Sequence, residues 1–261
     1  IMARDFTLTK YRQLLEKFLA KGYTIMAYED LFAGNVPQKY LIMRHDVDNL
    51  PLQSLEKAKI EHALGIRTTY YFRIVEESNH PEVIKAIAAL GHEIGYHYED
   101  LSLANGNFKK AIKLFEKNLT YFRTYYPVKT ICMHGSPTSI WDNRMIWRDI
   151  KYKDYQIIAE PYFDTDFNST LYITDTGRKW DGHLVSVRDK VSNNYQKSFR
   201  FRNSNDILKA LDKDSMPEKV MITTHPQRWH NAIGPWIKEL ILQNVKNFIK
   251  KNFYVQNPMM D

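Results

Sequence analysis

Apolar residues follow two rhythms along this chain, a recurrence every three to four positions and short unbroken runs. Leu14, Leu15, Phe18 and Leu19 recur at helical spacing, and Gly22 supplies a stop. Tyr40-Leu41-Ile42-Met43 is a continuous run and reads as a buried strand. Pro51 opens a second helix with Leu52, Leu55 and Ala58 on one face, closed by Gly65. Thr68 to Phe72 is β-branched and aromatic, hence a strand. A helix from Pro81 to Leu90, a strand from Glu93 to His97, a helix from Phe108 to Tyr121 and a strand from Val128 to Met133 follow.

The segment from Trp141 to Asn194 is rich in aromatics, Asp and short turns, with weak periodicity, and is expected to form long βα loops. The rhythm returns with a helix at Asp206 to Leu211, a strand at Val220 to Thr223, and a last helix from Ile233 to Asn252. That helix sets Trp236, Leu240, Ile241, Val245 and Ile249 on one stripe. Strands alternating with helices predict an α/β fold with a parallel sheet or a (β/α) barrel. With no repeat and no linker, residues 1–261 read as a single domain.

Composition narrows the chemistry. Of 261 residues, 44% are hydrophobic and 26% charged, which excludes a mainly disordered chain. The one cysteine, Cys132, excludes an intrachain disulfide framework and a Cys-rich metal site, so a transition metal must be held by His and carboxylates. With no base beside it, Cys132 reads as a packed thiol. A formal charge of +7 favours anionic partners, but the basic residues are scattered, so nucleic acid is not expected. No apolar run is long enough to cross a bilayer, and the first ten residues lack a signal core. The default expectation is a soluble cytoplasmic protein, with a removed leader left open.

In β/α architectures chemistry gathers at the C-terminal ends of strands, and four such ends carry suitable groups. The first is Arg44-His45-Asp46-Val47-Asp48, where Asp46 and Asp48, two apart, face one side of an extended chain. Adjacent carboxylates repel unless a cation or proton sits between them, and a divalent metal with one Asp as ligand and the other as base answers this. The structural alternative is a cap for the helix opened by Pro51. The second is Gly91-His92-Glu93-Ile94-Gly95-Tyr96-His97-Tyr98-Glu99-Asp100, with His97 as the ligand candidate and His92 a structural residue. The third is Met133-His134-Gly135-Ser136-Pro137, where a sharp turn would hold His134. The fourth is Thr223-Thr224-His225-Pro226-Gln227-Arg228-Trp229, which sets His225 where a general acid would stand and Trp229 as an apolar wall. In the irregular middle, Asp175 and Arg178 could pair, Arg178 could bind a substrate anion, and Trp180 could stack on a sugar.

Taken in order, these motifs resemble the NodB-type polysaccharide deacetylases, the family-four carbohydrate esterases. The likeness spans Tyr40 to His230 and is nearest to the branch with HDVD, GHEIGYHYE and HGSP signatures, often linked to surface-glycan synthesis. It implies a distorted (β/α) barrel, usually counted as seven-stranded, and removal of acetyl groups from sugars with one divalent metal, often zinc. By this resemblance Asp46 matches the catalytic base, Asp48 and His97 match metal ligands, and His225 matches the general acid. The Asp/Trp motif of the family is loosely matched near Asp175 and Trp180. The family's second ligand His falls at Leu101, which cannot ligate, so His134 is expected to supply the third ligand, with Glu99 in reserve. The resemblance further implies an acetylated sugar substrate, possibly nucleotide- or lipid-linked, near Tyr98, Ser136, Arg178, Trp180 and Trp229. Two alternatives stay open: hydrolysis of another non-peptide C–N bond on the same barrel, or a non-catalytic glycan-binding relative.

Overall fold

The computed structural model describes residues 4–135, 139–180 and 194–249. The architecture is α/β. Among the described residues seven strands pair in one sheet, every pairing parallel: β1 (Thr24–Met26), β2 (Tyr40–Val47), β3 (Thr69–Phe72), β4 (Glu93–Tyr98), β5 (Ile131–Met133), β6 (Leu171–Thr174) and β7 (Lys219–Thr224). Their order is β5-β4-β3-β2-β7-β6, with β1 paired to the first half of β2. The sheet curls into a half-barrel, and an isolated parallel bridge joins Thr130 to Ala159 beyond β5.

The helices are α1 (Leu8–Ala20), α2 (Pro51–Ala63), α3 (Pro81–Ala89), α4 (Asp100–Leu103), α5 (Phe108–Arg123), α6 (Pro161–Asp164), α7 (Asn194–Lys197), α8 (Ser204–Asp212) and α9 (Ile233–Ile249). The long elements fall where periodicity places them. Two strands were not anticipated. β1 is only three residues long, and β6 lies within the segment expected to be loop. Both are too short to show a period of their own, and pairing with β2 and β7 makes them strands.

β2 is longer than its apolar run, because pairing with β3 continues through Val47. His45 and Asp46 therefore lie inside the strand. Neither Asp48 nor Asn49 caps α2: the residue before Pro51 is Leu50, at φ 52° and with no side-chain cap.

Strand alternation sorts every side chain to one of two faces. On β2, Leu41 and Met43 join the apolar layer under α1 and α8, while Tyr40 and Ile42 face the inner cluster with Tyr28 and Met221. On β4, Ile94, Tyr96 and Tyr98 pack with Val83, Ile87 and Phe115 of α3 and α5. His97, between Tyr96 and Tyr98, is thereby turned to the concave face. Gly95 permits a close approach there: a Cβ on it would lie 2.3 Å from the ring of Tyr71, its register partner on β3. Among the described residues no helix is long and apolar enough to cross a membrane.

Candidate metal centre

Continuing the two-residue period past the strand ends carries Arg44, Asp46 and Asp48, then Arg73, then His97 and Glu99, then Cys132 and His134, then His225 towards one rim. The structure brings the predicted ligands together there. Asp48 Oδ1 lies 3.8 Å from His97 Nε2 and 3.6 Å from His134 Nε2. A tetrahedral zinc site spaces its ligand atoms about 3.4 Å apart, and these three residues form a group able to hold a metal ion.

The donors are also in the right state. His97 Nδ1 lies 2.9 Å from the carbonyl oxygen of Cys132, which only accepts, so Nδ1 carries the proton and Nε2 keeps its lone pair. His134 Nδ1 donates likewise to Glu99 Oε2 at 2.9 Å. Burial pushes the His97 pKa down to about 4 against the attraction of Asp46 and Asp48, which keeps the ring neutral. Burial opposes ionisation of Asp48, yet the charges facing it, His225 first and Arg73 among them, outweigh it and hold its carboxyl well below the usual carboxylate range. Its Oδ1 is buried without a hydrogen-bond partner among the described residues, an orphaned anion that a cation would satisfy.

Glu99, the reserve ligand, stands behind His134 and not beside Asp48. Arg73 donates to both its oxygens, at 2.8 and 2.9 Å, and burial is overcome by His134 and Arg73 to bring its pKa to about 2. The Glu99–His134 pair has the carboxylate–imidazole form that orients metal ligands. Arg73 also reaches the backbone oxygen of Asp48 at 3.2 Å, tying two ligand arms together.

A second group, Asp46, His97 and Cys132, has the same spacing and is wholly buried. With Nδ1 committed to the Cys132 carbonyl, His97 has one nitrogen to offer, so the two sets describe one place. Asp46 Oδ2 is engaged by Arg44 Nη2 at 2.8 Å and lies 3.8 Å from His97 Nε2. Its Oδ1 is buried with no partner among the described residues. Arg44 lies 5.8 and 5.4 Å from the ring centres of Tyr71 and Tyr162 and remains charged.

Opposite Asp46, His225 Nε2 lies 3.8 Å from Asp48 Oδ2, and Gln227 Nε2 donates to the same oxygen at 3.3 Å. His225 Nδ1 is 2.6 Å from Asp175 Oδ1. Asp175 is fully buried and collects further N–H donors from the His225 backbone, Arg228 Nη1 at 2.6 Å and Trp229 Nε1 at 2.7 Å. Burial and Arg228 press the His225 pKa down, but Asp175 and Asp48 prevail and raise it. The pKa values of two buried histidines on one rim are thus moved in opposite directions, that of His97 down and that of His225 up.

The expected sugar walls need correction. Tyr98 is fully buried in the apolar layer beneath α5, on the face opposite His97. Trp229 is fully buried against Phe6, Tyr11 and Trp180 and supports Asp175 from behind. Trp180 is buried too, its Nε1 donating to Ser204 Oγ at 2.9 Å. Arg178 does not pair with the Asp175 carboxylate. Arg228 takes that place, and Arg178 Nη1 donates to the Trp236 backbone oxygen at 3.0 Å, its guanidinium over the Trp236 ring. These side chains were assigned by type, whereas strand parity turns Tyr98 into the apolar layer and the packing around Phe6 and Asp5 holds Trp180, Trp229 and Arg178 inward. Ser136 lies outside the described residues.

Arg44, Arg73, Gln227 and Arg228 were missed. A signal existed for Arg44, which shares the parity of Asp46, and for Arg73, two past Tyr71 on the concave face of β3. Gln227 and Arg228 gain their roles only through tertiary contacts. His45, of the same motif, faces away and is structural, held by Glu61 and Thr224 at 2.7 Å each. The chain matches no known family model and no curated protein.

Proposed function

We propose that this chain is a metal-dependent hydrolase that removes an acetyl group from an N-acetylated sugar or glycan intermediate, acting in surface-polysaccharide synthesis. In this reading the half-barrel belongs to a single-domain, distorted seven-stranded (β/α) barrel. The observation that carries it is the Asp48–His97–His134 group, with both imidazole Nδ1 protons already placed and the free nitrogens turned to an orphaned carboxylate oxygen. Two nitrogens and one carboxylate suit zinc. When bound, the cation would polarise the acetyl carbonyl and acidify the attacking water.

The protein's own groups supply the proton transfers. Asp46, with one oxygen tied to Arg44 and the other without a partner among the described residues, accepts the proton of the attacking water. The bond from water oxygen to acetyl carbon forms as that proton leaves. His225, held as the cation by Asp175, donates from Nε2 to the departing amine as the C–N bond breaks. Base and acid flank the ligand group, each 3.8 Å from one of its members.

The test is acetate release from a panel of N-acetylated sugar donors by zinc-loaded protein. No release from any donor, by protein shown to hold one zinc, would remove the deacetylase assignment.

A further inference from the structure

The positive charge of the chain is not spread evenly. Residues 101–155 hold ten Lys and Arg against four Asp and Glu, so a net +6 of the chain's +7 falls there. The fold gathers this segment on one flank. α5 carries Lys109, Lys113 and Lys117 at a spacing of four, all exposed on one stripe, with Lys110 beside them. Residues 148–155 pack against α5, the Tyr155 ring 5.5 Å from that of Phe115 and its hydroxyl donating to Glu116 at 3.1 Å, and bring the exposed Lys151 alongside. Among the described residues none of these five lysines forms an ion pair, whereas Arg12, Lys17 and Lys21 at α1 are each paired. Asp142 and Asp149 offset Arg144 and Arg148 at 2.6 and 2.7 Å, so the excess rests on lysines. Where this flank meets the rim, large apolar side chains are exposed: Ile140 at 66%, Met145 at 43%, Leu103 at 41% and Trp141 at 36%. They share one surface. Ser102 Oγ meets Ser139 Oγ at 2.8 Å, the Ser102 N–H donates to Asn143 Oδ1 at 2.9 Å, and a Cβ on Gly106 would lie 2.2 Å from the Trp141 ring, three residues before Lys109. Asn143 Nδ2 in turn donates to the His134 backbone oxygen at 2.9 Å, which ties this surface to a ligand arm of the site.

We propose that this flank docks on the surface of an anionic bilayer, with the lysines against lipid phosphates and Ile140, Trp141, Leu103 and Met145 at the head-group boundary. Charge complementarity gives the sign of the partner: a face holding nearly all of the net charge, in lysines that the protein itself leaves unpaired, is attracted to an extended anionic surface. The apolar group gives its kind. A bilayer sets an apolar layer just beneath its phosphates, where aliphatic side chains and an indole are both accommodated. A nucleic-acid backbone has the charge and lacks that layer. The use of lysine agrees, because a flexible point charge with an apolar stem suits a fluid array of phosphates, whereas specific phosphate recognition favours the fork of arginine. Contact is peripheral, since among the described residues no helix is long and apolar enough to cross a membrane.

The experiment is co-sedimentation of the full chain with vesicles of three parts phosphatidylcholine to one part phosphatidylglycerol, at about 0.1 M salt, where charges act over about 10 Å. Wild-type protein should bind these vesicles, bind far more weakly at about 1 M salt, where that reach is about 3 Å, and leave vesicles of phosphatidylcholine alone in the supernatant. The triple variant Lys109→Gln, Lys113→Gln, Lys117→Gln should bind about a hundredfold more weakly, about fivefold for each charge removed, and Ile140→Glu should also lose affinity. Ile241→Glu, an exposed change on α9, should bind as the wild type does. All these changes are on the surface, and circular dichroism checks that each variant keeps the wild-type fold. No binding of the wild type to the charged vesicles overturns the proposal. So does binding that survives the triple variant, that is equal on neutral vesicles, or that is lost in Ile241→Glu. Binding of a random-sequence DNA duplex through the same lysines, unaffected by Ile140→Glu and without vesicle binding, gives the flank to nucleic acid and overturns it as well. None of these outcomes depends on the hydrolase reading.

Discussion

His225 Nδ1 lies 2.6 Å from Asp175 Oδ1, across fifty residues of sequence. That contact separates the roles of two buried histidines on one rim. His97, backed only by a carbonyl, is pushed towards the neutral ring, while His225, backed by a carboxylate, has its pKa raised, which suits them to the proposed roles of ligand and acid.

The acid role has a pH signature with a definite sign. Under the proposed function His225 acts while protonated, so activity should fall as pH rises through its raised pKa. Asp175→Asn removes the carboxylate that raises it, so the alkaline limb should move to lower pH. A pH–rate profile of kcat with unchanged limbs in that variant would refute the assignment.

Asp46→Asn keeps the candidate ligands and removes the proposed base. It should bind zinc as the wild type does and lose about 10²–10⁴-fold in kcat. Elemental analysis together with acetate release reads both quantities.

Glu99→Gln and Arg73→Gln leave all three ligands in place but loosen the ring of His134. Each should weaken zinc affinity by about 10–100-fold, measured by chelator competition, and Arg73→Lys should recover part of it. His134→Ala should abolish binding. Full affinity in the alanine variant would show that another residue completes the site.

At the opposite end of the sheet, burial and Glu29 raise the Glu93 pKa to about 7 from an ordinary value of 4.5, even though Thr130, Thr69 and the Glu29 backbone N–H hydrogen-bond it. A buried acid with a raised pKa binds its proton in the folded state, so its contribution is complete below about 4.5 and is lost as pH rises through about 7. Glu93→Gln mimics the protonated acid and should flatten that decline. Urea denaturation of both proteins between pH 4 and 8, a window set by those two values, tests this; parallel pH profiles would contradict it.

Much of the rim was legible in the chain. Paired acids two apart and histidines just past apolar runs mark strand ends, because strand alternation turns Asp46, Asp48 and His97 to one face whatever their neighbours are. The same rule, applied to Tyr98, would have removed it from the substrate wall.

Sequence by itself determined the alternation of helices and strands and the residues able to ligate, since both follow from local spacing and side-chain chemistry. Only tertiary structure decided that Glu99 supports His134 instead of competing with it, that Trp229 and Trp180 are interior, and that α9 turns Ile241, Val245 and Ile249 outward. Helical periodicity defines two faces but does not say which meets the protein. That choice rests on what lies beneath, here the backbone oxygen of Gly177, for which an amide side chain is a partner and an aliphatic one is not.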